Sequence, residues 1–234
     1  IPLRLVGSEM CIRDRMSTAS SIDQAWLQQK WQTLTASVFA DPAAVDAVWT
    51  ELLRHYSEPQ RKYHNLSHVA ALLRRAEQHK EHIRQMEVVE FAIWFHDLIY
   101  DTHLKDNEER SAEWARCAMI AMHLDEYHIP PVMACIAATA MHAVRSPEIP
   151  DLPLFLDMDL AILGADEDVY HAYSQAIRAE YIWVAEEDFR RGRGRVIEDF
   201  LQRPSLFYTP MMVASLEKQA RHNLNAELRE LGQT

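Results

Sequence analysis

Glycine is scarce, with five in 234 residues, and no alternating apolar–polar stretch of useful length runs through the chain. Both shortages argue against a sheet, whose strands show a two-residue period and whose hairpins favour glycine turns. Cysteine is almost as rare. Cys11, Cys117 and Cys135 are the three present, none in a CxxC pair, which excludes a disulfide framework and a four-cysteine zinc site. The expectation is a reducing, cytoplasmic setting. No run approaches the roughly 18 apolar residues that a membrane-crossing helix requires, so no membrane partner is expected. Basic charge is short too: 24 Lys and Arg face 35 Asp and Glu, a net −11. Duplex nucleic acid is therefore an unsuitable partner, because its binding rests on displacing counterions with a basic surface. The one basic run, Arg190–Arg195, is offset by Glu186, Glu187, Asp188, Glu198 and Asp199.

What the chain has in abundance is helix formers: Ala, Leu, Glu, Gln, Arg and Met. The expected fold class is all-α, a single bundle of about ten helices over residues 16–234. Residues 1–15 stand apart. VGSEMCIRDR (6–15) resembles the translation of a transposon-end adapter used in sequencing libraries, so Met16 is read as the natural start. Apolar spacing predicts a helix over 21–39. Asp41-Pro42 announces another, as an N-cap followed by proline at the first helical position, and Ser57-Glu58-Pro59 ends it. Further helices are expected from Leu66, over 88–99, from Asn107 to His123, from Pro130 to His142 and over 154–163, the last stopped at Gly164. Three more, over 166–186, 188–201 and 211–231, complete the set.

Polar clusters interrupt this pattern where polarity is expensive. RKYHNLSH (61–68) carries His64 and His68 four residues apart, a spacing that shares one face of a helix. His96-Asp97 follows the apolar run FAIWF, and Asp157-Met158-Asp159 lies inside LFLDMDLAIL. A bare carboxylate buried in such surroundings costs several kcal/mol unless it is paired or bound to a metal. That cost makes a bound cation the reading to test.

His68, then His96-Asp97, then a distant Asp159, on a helical background, resembles the HD superfamily of metal-dependent phosphohydrolases. RKYHNLSHV, FHDLIYD, DNEERSA, IAATAMH and FLDMDLAILG together are similar to its small stand-alone members, extended by IRAEY (177–181). The resemblance implies a divalent metal ion (Mn, Fe, Co, Zn or Mg, undistinguished) held by His68, His96, Asp97 and Asp159. Asp157 is the weaker alternative for the last position. YHNLSH also resembles the YHNxxH motif of cyclic-nucleotide phosphodiesterases, in which the first histidine protonates the leaving group; that casts His64 as the general acid. Asp97 or Glu108 is the candidate acceptor of the water proton.

The expected substrate is a small-molecule phosphate ester, with Arg61 and Arg178 as candidate phosphate contacts. Lys62, Arg191 and Arg193 are further cationic candidates. His142 is a candidate either for substrate contact or for a second metal. Two other readings stay open: an HD-fold di-iron oxygenase, whose additional ligands would have to be His123 or His142, and a non-catalytic nucleotide sensor. The motifs choose neither the natural substrate nor the oligomeric state.

Overall fold

The structure, a computed structural model, describes the backbone of residues 12–232 and the side chains of residues 24–232. The tail expected at residues 1–15 lies outside the described residues as far as residue 11. Among the described residues there are ten α-helices and no strand: α1 (Ile12–Ser37), α2 (Pro42–Tyr56), α3 (Leu66–Gln78), α4 (Met86–Phe95), α5 (Asn107–Ala121), α6 (Ile129–Thr139), α7 (Leu152–Asp159), α8 (Glu167–Glu180), α9 (Glu186–Leu201) and α10 (Pro210–Glu230). The all-α expectation holds. No described helix is long and apolar enough to cross a membrane.

α4 is the centre of the packing, set against α3, α5 and α6. All but its first, second and fifth residues are buried hydrophobics, from Val88 and Val89 through Phe91 to Phe95. Trp31 of α1 meets Phe91, Trp94 and Phe95 edge-on at centroid distances of 6.1, 5.6 and 6.1 Å. Each such side chain contributes about 1.5–3 kcal/mol when withdrawn from water, which fixes the helix that delivers His96. The polar exceptions are local caps. Asp41 accepts from the Ala44 amide at 3.4 Å and Asn65 from the Ser67 amide at 2.8 Å, bonds that typically add about 1 kcal/mol per helix start.

Helix ends depart from the sequence expectation at the positions that matter most. α4 stops at Phe95 instead of running to residue 99, so His96-Asp97 occupies a turn. α6 stops at Thr139, short of His142. α8 stops at Glu180, and a turn over 181–185 separates it from α9. With glycine so scarce, three helices leave through left-handed non-glycine residues: Phe39 (φ 54°), His123 (φ 57°) and His142 (φ 43°). In each, that residue and the next donate back into the last turn. For α6 the pairs are His142 to the Thr139 carbonyl at 3.3 Å and Ala143 to the Ala138 carbonyl at 3.4 Å.

Gly164 ends the short 3-10 segment Leu160–Gly164 that follows α7. Its expected role was to stop a helix. The observed reason for glycine is closeness, because a Cβ here would lie 2.7 Å from Leu216 Cβ and 2.9 Å from the Leu216 carbonyl oxygen. α10 therefore presses directly on the segment that follows Asp159.

Candidate metal centre and cavity

Three elements bring imidazoles and carboxylates together. His68 comes from the first turn of α3, behind the Asn65 cap. His96-Asp97 comes from the turn that ends α4, and Asp159 is the last residue of α7. His68 Nε2 and His96 Nε2 face each other at 3.1 Å. Asp159 Oδ1 lies 3.2 Å from His68 Nε2 and 3.7 Å from His96 Nε2. Asp97 Oδ2 lies 3.1 Å from His96 Nε2 and 3.6 Å from His68 Nε2. The tightest set is His68, His96 and Asp159, whose ligand atoms all lie within 4.8 Å of one another.

Donor chemistry fits a divalent cation. His96 Nδ1 lies 2.9 Å from the Ile93 carbonyl. A carbonyl only accepts, so Nδ1 carries a proton, and whenever the ring is neutral its Nε2 lone pair is the one turned to the cluster. Two nitrogens each about 2.0–2.1 Å from one ion stand roughly 3.0–3.4 Å apart, which is the observed spacing. Burial depresses the His68 imidazole and favours its neutral form, although Asp159 pulls the other way. At His96 burial acts in the same sense, but the Asp97 and Asp159 carboxylates reverse it and push the ring up to about 9. Burial would raise both carboxylates. At Asp97 the His96 charge prevails, and at Asp159 the His142 hydrogen bond does, so each is held well below the usual range. The cluster thus concentrates negative charge around two imidazole nitrogens.

His64 precedes the Asn65 cap and is not part of α3, so helical spacing does not position it. Glu180, the last residue of α8, does. Its Oε2 lies 2.7 Å from His64 Nδ1 and accepts from the Tyr100 hydroxyl at 2.9 Å. Its Oε1 accepts from the amides of Lys62, Tyr63 and His64 at 2.8, 2.8 and 3.0 Å. Tyr100 also stacks on the His64 ring at 4.3 Å. Burial would raise the Glu180 carboxyl, but the His64 bond and these amides draw it down to about 2. The His64 ring is raised despite its burial, by Asp97 and Glu180. With Nδ1 held by a carboxylate, Nε2 is the atom left to hold or release a proton.

Other expected contacts land elsewhere. Arg61 is spent on the turn itself, its side chain fully buried. It donates to the carbonyls of Asp97 (2.6 Å), Leu98 (2.7 Å) and His64 (3.2 Å), tying the two polar clusters together in place of binding phosphate. Arg178 clamps the turn between α8 and α9, donating to Glu186 and to the carbonyls of Tyr181 and Val184. Lys62 donates to the Pro59 carbonyl, and Arg191 pairs with Asp188 on the surface. His142 joins the centre: its Nε2 lies 2.9 Å from Asp159 Oδ2. The Tyr208 hydroxyl and Arg203 donate to its carbonyl, at 2.8 and 3.1 Å. His123 is exposed on the outside of the molecule. Asp157 faces away, accepting from the Tyr208 and Thr209 amides at 2.7 Å each and from the Thr209 hydroxyl at 2.6 Å.

His64, Asp97, Glu108, His142 and Asp159 all line one cavity of about 710 Å³, within the range of small-molecule sites. Glu108 reaches it from the first turn of α5. Glu180, Tyr100 and Arg203 went unremarked in the sequence. Glu180 and Tyr100 had a sequence signal, their places in the IRAEY and FHDLIYD stretches. Comparison of the chain with protein-family models, with curated proteins and with solved structures finds no match.

Proposed function

We propose that the protein is a metal-dependent phosphohydrolase of the HD type, acting on a small phosphate ester. The observation that carries this reading is the convergence of His68, His96, Asp97 and Asp159, with the two aspartates lining the same cavity as a carboxylate-held imidazole, His64. His68 Nε2, His96 Nε2 and one oxygen from each aspartate would hold the ion, and His142 keeps the Asp159 carboxylate turned. A divalent cation bound there supplies electrophilic polarisation of the phosphoryl group and acidifies water. Asp97, or Glu108, which lines the same cavity, accepts the proton of the attacking water. His64 Nε2 gives a proton to the departing oxygen, while Glu180 fixes the ring and its tautomer. Arg61 holds the backbone of residues 97–98 still, which keeps Asp97 beside His96. The exposed placement of His123 removes one of the two extra ligands that a di-iron oxygenase reading required.

Elemental analysis with a screen of aryl and nucleotide phosphates, run under air and without oxygen, tests the proposal. Stoichiometric divalent metal and oxygen-independent phosphate release are expected. A metal-free protein with no esterase activity after Mn, Fe, Co, Zn or Mg addition would overturn it.

A further inference from the structure

Beyond the metal cluster, the cavity changes character. Its apolar walls include Leu163, Tyr173, Ile177, Phe189, Val196 and Phe200, drawn from the 3-10 segment, α8 and α9. Phosphate-binding side chains do not follow. Among the described residues that line the cavity there is no lysine, and its arginines are Arg193 and Arg203. Arg193 is paired with Glu227 through Nε and a terminal nitrogen, at 2.8 and 2.9 Å. Arg203 donates to the carbonyls of Met141 and His142 at 2.9 and 3.1 Å. The remaining charges at the cavity are carboxylates: Glu108, Asp188 and Asp199, in addition to Asp97 and Asp159.

A divalent cation offsets the negative charge of one phosphoryl group at the histidine end. A second or third phosphate would have to lie against apolar wall or carboxylate, where the cation left to meet it is Arg203, whose two terminal nitrogens are already turned to carbonyls. That is the reverse of polyphosphate sites, which gather Arg, Lys and backbone amides around the chain. The apolar wall instead offers a place for a hydrophobic leaving group. We infer that the substrate is an ester bearing a single phosphoryl group on a hydrophobic alcohol, alkyl or aromatic, and not a di- or triphosphate. This inference rests on the proposed phosphohydrolase reading.

Non-hydrolysable phosphonates separate the two claims. The full chain, reconstituted with manganese, is titrated calorimetrically with methyl-, propyl- and hexylphosphonate and with methylenediphosphonate, alongside turnover of 4-nitrophenyl phosphate. Each methylene taken into an apolar wall tightens binding about three- to fourfold. Hexylphosphonate should therefore bind about a hundredfold or more tighter than methylphosphonate, and tighter than methylenediphosphonate. Val196, at the exposed rim of the cavity and 45% accessible, provides the charge test. Val196→Lys should weaken hexylphosphonate and strengthen methylenediphosphonate by roughly three- to fivefold, the strength of an exposed ion pair. Turnover with an affinity that is flat in chain length, or with methylenediphosphonate bound best, overturns the substrate class alone. No phosphonate binding together with no turnover overturns the phosphohydrolase reading as well.

Discussion

On one side of α7, Asp157 accepts three hydrogen bonds from the Tyr208–Thr209 strand of chain that starts α10. On the other, two residues on, Asp159 faces His68, His96 and His142. Asp151 and Glu180 belong with Asp157 in one respect, since each gathers backbone amides: Arg84 and Gln85 for Asp151, residues 62–64 for Glu180. A buried carboxylate supplied with amides is a joint, and its energy is spent on holding chain segments. Asp97 and Asp159 have instead been surrounded by imidazoles, groups that either carry a proton or yield a lone pair to a metal. The difference separates scaffold acids from candidate ligand acids where burial does not, since Asp157 is the more deeply buried of the α7 pair.

The largest expected effect tests that division directly. His96→Ala and Asp159→Asn should each lose bound metal and reduce turnover to background, whereas Asp157→Asn should keep metal and lose stability. Its amide nitrogen must face a backbone N–H, a cost of about 1–3 kcal/mol in the unfolding free energy. Elemental analysis and denaturant titration of matched preparations check both, and a greater metal loss in the Asp157 variant would reverse the assignment.

Next comes His64→Ala, expected to retain metal while turnover falls about 10²–10⁴-fold. The deficit should shrink for 4-nitrophenyl phosphate relative to an alkyl ester, because a good leaving group needs little protonation. Equal deficits would remove the acid role.

Glu180 gives a pH signature. Its carboxyl is drawn from about 4.5 in the ordinary state to about 2 in the fold. A depressed acid contributes stability that is fully present above its unfolded value and is lost as pH falls through the folded one. Stability should therefore decline between about pH 5 and pH 2, and Glu180→Gln should flatten that decline. Urea midpoints measured across this range decide it.

The smallest effect is expected from deleting residues 1–15, which should leave melting temperature and turnover unchanged. A clear fall in the melting point would give that segment a structural role.

The helices and the four ligand candidates were legible in the sequence because apolar periodicity and the cost of buried polarity are local signals. The rest was not. The turn at His96 has its next two carbonyls, of residues 97 and 98, held by Arg61 from 36 and 37 residues away, and no local pattern announces a donor at that range. Arg61 and Arg178 looked like phosphate ligands because charge is visible in a sequence and its partners are not. Glu180 looked like one more helical glutamate, since its five acceptor contacts come from residues 62–64 and 100.

α10 fastens to the α7 region at three levels. Asp157 takes the amides ahead of its start, Leu216 seats on Gly164, and the Asn223 side chain donates to the carbonyls of Leu163 and Ala165 at 2.8 Å each. During synthesis, then, Asp159 emerges from the ribosome well before the helix that fixes its position. The nascent chain can carry His68, His96, Asp97 and Asp159 and still lack the contacts of residues 210–230 that hold the α7 region in place.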